Sequence, residues 1–141
     1  MAKKKPRVTR ARQADENYQV VTIVGGDGKY QTQPCSQCPW RKDQVGTFPA
    51  EAFRLSANTA YDMSEHNFAC HMAGVEKPKT CAGFLLNGSR HNLSYRLKVI
   101  KGDIDPNTVT DGDHDLHESY RAMAEANGVD PEDPVLRPCR D

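Results

Sequence analysis

No run of the 141-residue sequence approaches the roughly 20 consecutive apolar residues that cross a bilayer, which excludes a spanning helix by length alone. Aromatic residues are sparse, at four Phe, five Tyr and a single Trp, so any core must be small. The first 13 residues, MAKKKPRVTRARQ, contain no acidic side chain and six basic ones. Polar sequence follows them rather than an apolar stretch, so the reading expects no secretory signal there and a cytoplasmic location. Nucleophile-elbow, HExxH and Walker spacings are all missing, and no catalytic dyad is recognisable. An enzyme is therefore the less favoured reading.

What is present is strong charge polarity under a net charge of zero. Residues 103–141 carry eleven acidic and three basic side chains, whereas 14–102 are nearly balanced. The length fits one domain, and the expected organisation has three parts. Residues 1–15 form a basic flexible tail with almost nothing to bury. Residues 16–128 form a single metal-stabilised domain. Residues 129–141, with three prolines, form an irregular segment that wraps the surface.

Periodicity predicts a small mainly-α (α+β) domain of three to four short helices plus an N-terminal β-hairpin, stapled by a cysteine metal site. The hairpin is expected from Tyr18–Val24, a turn at Gly25-Gly26-Asp27-Gly28, and a return over Lys29–Gln33. A first helix starts at Pro49, with Phe53, Ala57 and Ala60 inward and Leu55 and Met63 widening the stripe. A second runs from an Asn92 cap to Gly102, with Leu93, Leu97 and Ile100 on its apolar face. A third is capped by Asp115, buries Leu116, Tyr120, Met123 and Ala124, and stops at Asn127-Gly128.

Five cysteines stand in a chain with no sign of export, which points to metal before disulfides, and the odd count agrees. Cys35 and Cys38 form a CxxC pair, and Cys70 and Cys81 close the two ends of one loop. Four soft thiolates suit zinc or an iron–sulfur cluster, [4Fe-4S] being the alternative. Zinc is the simpler occupant of a structural site. Pro39 after Cys38 and the nearby Trp40, Phe68 and Phe84 argue for a cluster, and the balance is close. A thioredoxin-like redox pair lacks its βαβ setting. His71 is either an alternative ligand or a group that orients one, and Cys139 is left out.

The segment DGDHDLH, 111–117, reads as a solvated acidic connector rather than a hydrolase site, and the acidic spacing at 103–114 lacks the glycine and glutamate of a calcium loop. Lys3, Lys4, Lys5, Arg7, Arg10, Arg12, Arg41 and Arg96 make a possible basic binding surface for phosphate backbones, with plain solubility as its rival.

The elements Cys35–Arg41 (CSQCPWR), Phe68–His71 (FACH) and Cys81–Phe84 (CAGF) together resemble a family of small uncharacterised phage and actinobacterial proteins with the pattern CxxCPWR, FxCH and CAGF or CAGW. Phe48-Pro49-Ala50-Glu51 and Asn92–Arg96 extend the likeness to about half the chain. The resemblance implies a phage or actinobacterial setting, host cytoplasm included, and a shared cysteine site. It implies no enzymatic activity. Two functions are expected to compete: a non-enzymatic accessory or regulatory protein that binds a host protein or nucleic acid, and an iron–sulfur redox sensor or enzyme.

Overall fold

The computed structural model describes residues 5–24, 28–74 and 76–139, with only the backbone of Thr22, Ile23, Val24 and His71. The first turn is made by an aspartate. Asp15 Oδ1 accepts the N–H groups of Asn17 and Tyr18, each at 2.8 Å, an Asx turn that reverses the chain. On either side β1 (Arg7–Gln13) and β2 (Gln19–Val24) pair antiparallel. An N-terminal hairpin is therefore present, but its partner strand comes from residues expected to be a flexible tail. The Asx turn supplies a shorter closure than Gly25–Gly28 would, and Gly25–Asp27 lie outside the described residues. Tyr18 packs edge-on against Phe48 at 5.1 Å, and the Arg12 guanidinium donates to Leu55 O at 2.8 Å, which moors the turn end to the domain.

Helix α1 (Ala50–Ser56) begins after Pro49, whose extended backbone suits a helix start, and continues as a 3-10 turn over Ala57–Ala60. Phe53, Ala57 and Ala60 are buried, at the spacing the sequence shows. Met63 is not part of the stripe. It adopts φ +61 beyond the helix and is exposed. Among the described residues the hairpin is accompanied by α1, a π-helical turn at Phe84–Gly88, α2 (Leu93–Lys101) and α3 (Tyr120–Ala126), with short 3-10 turns between and after them.

Both expected ends of α2 hold. Asn92 Oδ1 accepts from Tyr95 N, and Gly102 closes the helix at φ +83. Its face is rotated from the expected one, with Leu97 and Ile100 exposed and Tyr95 and Val99 against the core. The cause lies in the cap. Asn92 is fully buried, and its amide also donates to Thr59 O and His66 O at 3.2 and 2.6 Å. Three satisfied polar contacts in a buried position fix the helix rotation more firmly than a weak apolar stripe can.

Helix α3 is capped by Ser119, whose Oγ accepts from Ala122 N, not by Asp115. The chain before it is extended instead, because Lys42 N bonds Asp115 O and His117 N bonds Trp40 O, both at 2.9 Å. Tyr120, Met123 and Ala124 are buried as expected, and Leu116 is half-buried. The core does not stop at residue 128. Val129, Leu136 and Cys139 are buried, and the irregular backbone is held by Tyr61 Oη donating to Val135 O at 2.7 Å and by Arg121 donating to Leu136 O at 2.9 Å.

Trp40 occupies the centre of this core, with no exposed surface. Its indole meets Tyr120 and Phe68 edge-on at 6.0 and 6.1 Å. Two glycines make room for it. A Cβ built on Gly83 would stand 2.4 Å from Trp40 Cβ, and one on Gly88 would stand 2.5 Å from the far end of the indole ring. Neither glycine has a positive φ, so the requirement is close approach rather than backbone freedom. Gly88→Ala should therefore cost about 1–3 kcal/mol through overpacking, read as a thermal-melt shift of several degrees. In a Trp40→Leu background, which removes the ring, the cost of Gly88→Ala should largely vanish. Additive losses in that double-mutant cycle would contradict the fit.

Candidate metal centre

Backbone pairing brings the loop cysteines together before any side chain is considered. Residues 68–70 and 79–81 pair antiparallel about the Ala69–Thr80 bridge, with Cys81 N to Phe68 O at 2.8 Å and Cys70 N to Lys79 O at 2.7 Å. In that register Cys70 and Cys81 lie diagonally on one face, with Phe68 opposite Cys81 and Lys79 opposite Cys70, while Ala69 and Thr80 lie on the other. Tyr30 adds a parallel bridge to Thr80, and the neighbouring Gln31 Nε2 donates to Cys70 Sγ at 3.4 Å.

The CxxC loop closes over this face. Cys38 N bonds Cys35 O at 3.1 Å and Arg41 N bonds Cys38 O at 3.0 Å, so consecutive turns aim both sulfurs the same way. Arg41 then clamps the loop. Its guanidinium donates to the carbonyls of Cys35 and Ser36 at 3.3 and 3.4 Å and holds Asp43 through two further bonds of 2.9 and 2.6 Å. Arg41 was expected on a basic surface. It is instead half-buried and paired, so its charge serves the loop.

The four thiols influence one another in series, Cys70 with Cys35, Cys35 with Cys38, and Cys38 with Cys81. Cys38 Sγ and Cys81 Sγ lie 3.6 Å apart, too far for a disulfide, and no disulfide joins any of the five cysteines. The backbone N–H groups of Gln37, Trp40 and Ala73 serve the sulfurs of Cys35, Cys38 and Cys70. Pro39 does not impoverish the site, because the donor to Cys38 is the residue after it. Crowding has an electrostatic consequence. The Cys35 contact favours the Cys38 thiolate, but the Cys81 thiol and burial outweigh it and push Cys38 up to about 12. Contact with Cys38 raises Cys35, and contact with Cys35, then burial, raises Cys70.

For one sulfur pair, Cys38 and Cys81, the spacing can be compared with that around a tetrahedral ion. Zinc at about 2.3 Å from each of four sulfurs places neighbouring sulfurs about 3.8 Å apart, close to the observed 3.6 Å. Among the described residues no group of three or more His, Cys, Asp or Glu side chains is placed to hold a metal ion. The contacts form a line rather than a closed tetrahedron. The side chain of His71 lies outside the described residues. Cys139 is far from this group in its bonding, with Sγ directed at Ala57 O at 3.8 Å and its backbone bridged to Tyr61.

Of the remaining basic candidates, Arg7, Arg10 and Arg12 lie on β1 and Arg96 lies apart on α2. Lys3 and Lys4 lie outside the described residues, Lys5, Arg7, Arg10 and Arg96 are exposed, and Arg12 is half-buried at α1. His117, expected in a solvated connector, is 5 % exposed, and its Nε2 has no partner. Burial lowers its pKa from the ordinary value of 6.5, with nearby Lys42 adding to the effect and Asp115 opposing it. The folded protein thus prefers neutral His117, and the unfolded chain binds the proton more readily. Stability from this group is complete above about pH 6.5 and declines as pH falls through the lowered folded pKa. His117→Gln should flatten the acid side of the stability–pH curve relative to the parent. Equal pH slopes in urea melts of the two proteins would contradict the burial argument.

Among the described residues no helix is long and apolar enough to cross a membrane. No curated protein and no solved structure matches the chain. Residues 30–140, most of the chain, match the model of a family described as a family of unknown function (DUF6283), and the chain belongs to that family.

Proposed function

We propose that this protein is a non-enzymatic accessory or regulatory protein, stapled by one zinc ion on Cys35, Cys38, Cys70 and Cys81, that works by binding another macromolecule. The observation that carries the reading is the 3.6 Å approach of Cys38 and Cys81 at the junction of two chain segments. A [4Fe-4S] cluster puts each thiolate on a separate iron with bridging sulfides between, which spreads the sulfurs further apart than a single ion does. Catalytic zinc keeps a position open for water, whereas four thiolates fill the tetrahedron. The ion would then serve the fold, and activity would reside in the surface. A reducing cytoplasm, in an actinobacterial cell or the host of a phage, suits five free thiols.

Structural zinc supplies folding free energy of about 10–16 kcal/mol in small domains, comparable to a whole domain's stability. Serine at any of the four positions should therefore abolish stoichiometric zinc and lower the melting temperature severely. Cys139→Ser should keep full zinc and cost about 1 kcal/mol of packing. Metal content and thermal melts of the five variants check this. Full zinc and an unchanged melt in any one of the four would sink the all-thiolate site. Visible absorption with iron in place of zinc would move the reading to the cluster.

A further inference from the structure

The hairpin lies outside the family match, which begins at residue 30, and it carries charge of the opposite sign to that match. Residues 30–140 hold more acidic than basic side chains, while β1 with Lys5 has four basic residues and no acidic one. The register shows how the charge is arranged. Arg7 pairs with Val24, Arg10 with Thr22 and Arg12 with Val20, alternate residues of β2 and thus one face of the ribbon. Plain alternation along β1 would set Arg7 on the face opposite Arg10 and Arg12. The bulge between Val8 and Arg10 inserts the one residue that brings it round.

From this we infer that the hairpin is a phosphate-binding ribbon for duplex DNA. Arg12 is committed to Leu55 O at the moored end, and Arg10 and Arg7 follow it along the same face. Both are exposed, and among the described residues neither has an ion pair. Basic residues on an exposed ribbon also serve to keep foreign strands off its edges. That role gains nothing from collecting three arginines on one face, whereas a phosphate backbone does. A two-stranded ribbon fits the roughly 12 Å major groove of B-DNA, and the narrow major groove of duplex RNA does not admit it. The acidic excess in residues 103–141 repels phosphate, which disfavours contact through that part of the chain. The inference rests on the reading of the chain as a binding protein and is independent of the metal.

The test is fluorescence anisotropy of the full-length, metal-loaded protein on a labelled mixed-sequence DNA duplex, between about 50 and 200 mM salt. Three contacts, from Lys5, Arg7 and Arg10, predict a slope of log K against log salt of about −2.7. The double variant Arg7→Gln/Arg10→Gln should shrink the slope by about 1.8 and weaken binding roughly 10- to 100-fold at low salt. Zinc content and melting temperature, measured on the same samples, should not change, since both side chains are exposed and unpaired. No binding by the parent at low salt, or equal binding by the double variant, would overturn the inference while leaving the zinc reading to its own test. Binding to polyglutamate but not to DNA would overturn it in favour of an acidic protein partner. Equal affinity for duplex RNA would overturn the groove assignment.

Discussion

The junction of Cys38, Trp40 and the Cys81–Gly88 segment is the constraint on which the rest of the molecule depends. One short loop delivers a sulfur to the candidate metal site and, two residues later, an indole to the core. The opposite segment receives both, with Cys81 at 3.6 Å from the first sulfur and with Gly83 and Gly88 bare against the ring. The proposed metal coordination and the apolar packing would therefore act on the same two pieces of chain. A shift that opened one would open the other, so each restrains the geometry the other needs.

Around this junction the elements are short, and none would hold by itself. Helices of seven to nine residues fall below the length at which isolated helices persist in water. What holds them is polar anchoring at fixed points. Asn92 joins α2 to the chain at Thr59 and His66, Tyr120 Oη donates to Phe53 O at 2.5 Å between α3 and α1, and Arg54 pairs with Asp133 of the C-terminal segment at 2.7 Å. The C-terminal segment in turn lays Leu136 and Cys139 into the core. A domain this poor in aromatic area gains most from such ties and from a staple that closes long loops.

Much of this was legible in the residues, and the misses have physical causes. The approach of the CxxC pair to the loop cysteines was anticipated from their spacing, as Cys38 and Cys81 show. Asn92 and Gly102 were recognisable because caps act locally. The rotation of α2 was not, because Leu97 and Ile100 mark an apolar stripe that a buried amide overrides. The hairpin partner was missed because RVTRARQ looks too charged to pair, and the Asx turn at Asp15 was outweighed by a more obvious glycine turn. Nothing in the sequence marks Gly83 and Gly88 as neighbours of the indole, and their closeness to it shows only in the fold. Close approach across more than forty residues leaves no local signature.

The central claim is that four thiolates converge on one ion. X-ray absorption at the metal edge of the purified full-length protein tests it most directly. The account predicts zinc with four sulfur neighbours at about 2.3 Å and no nitrogen or metal scatterer. Three sulfurs with one nitrogen, or iron with a second shell of iron, would contradict it.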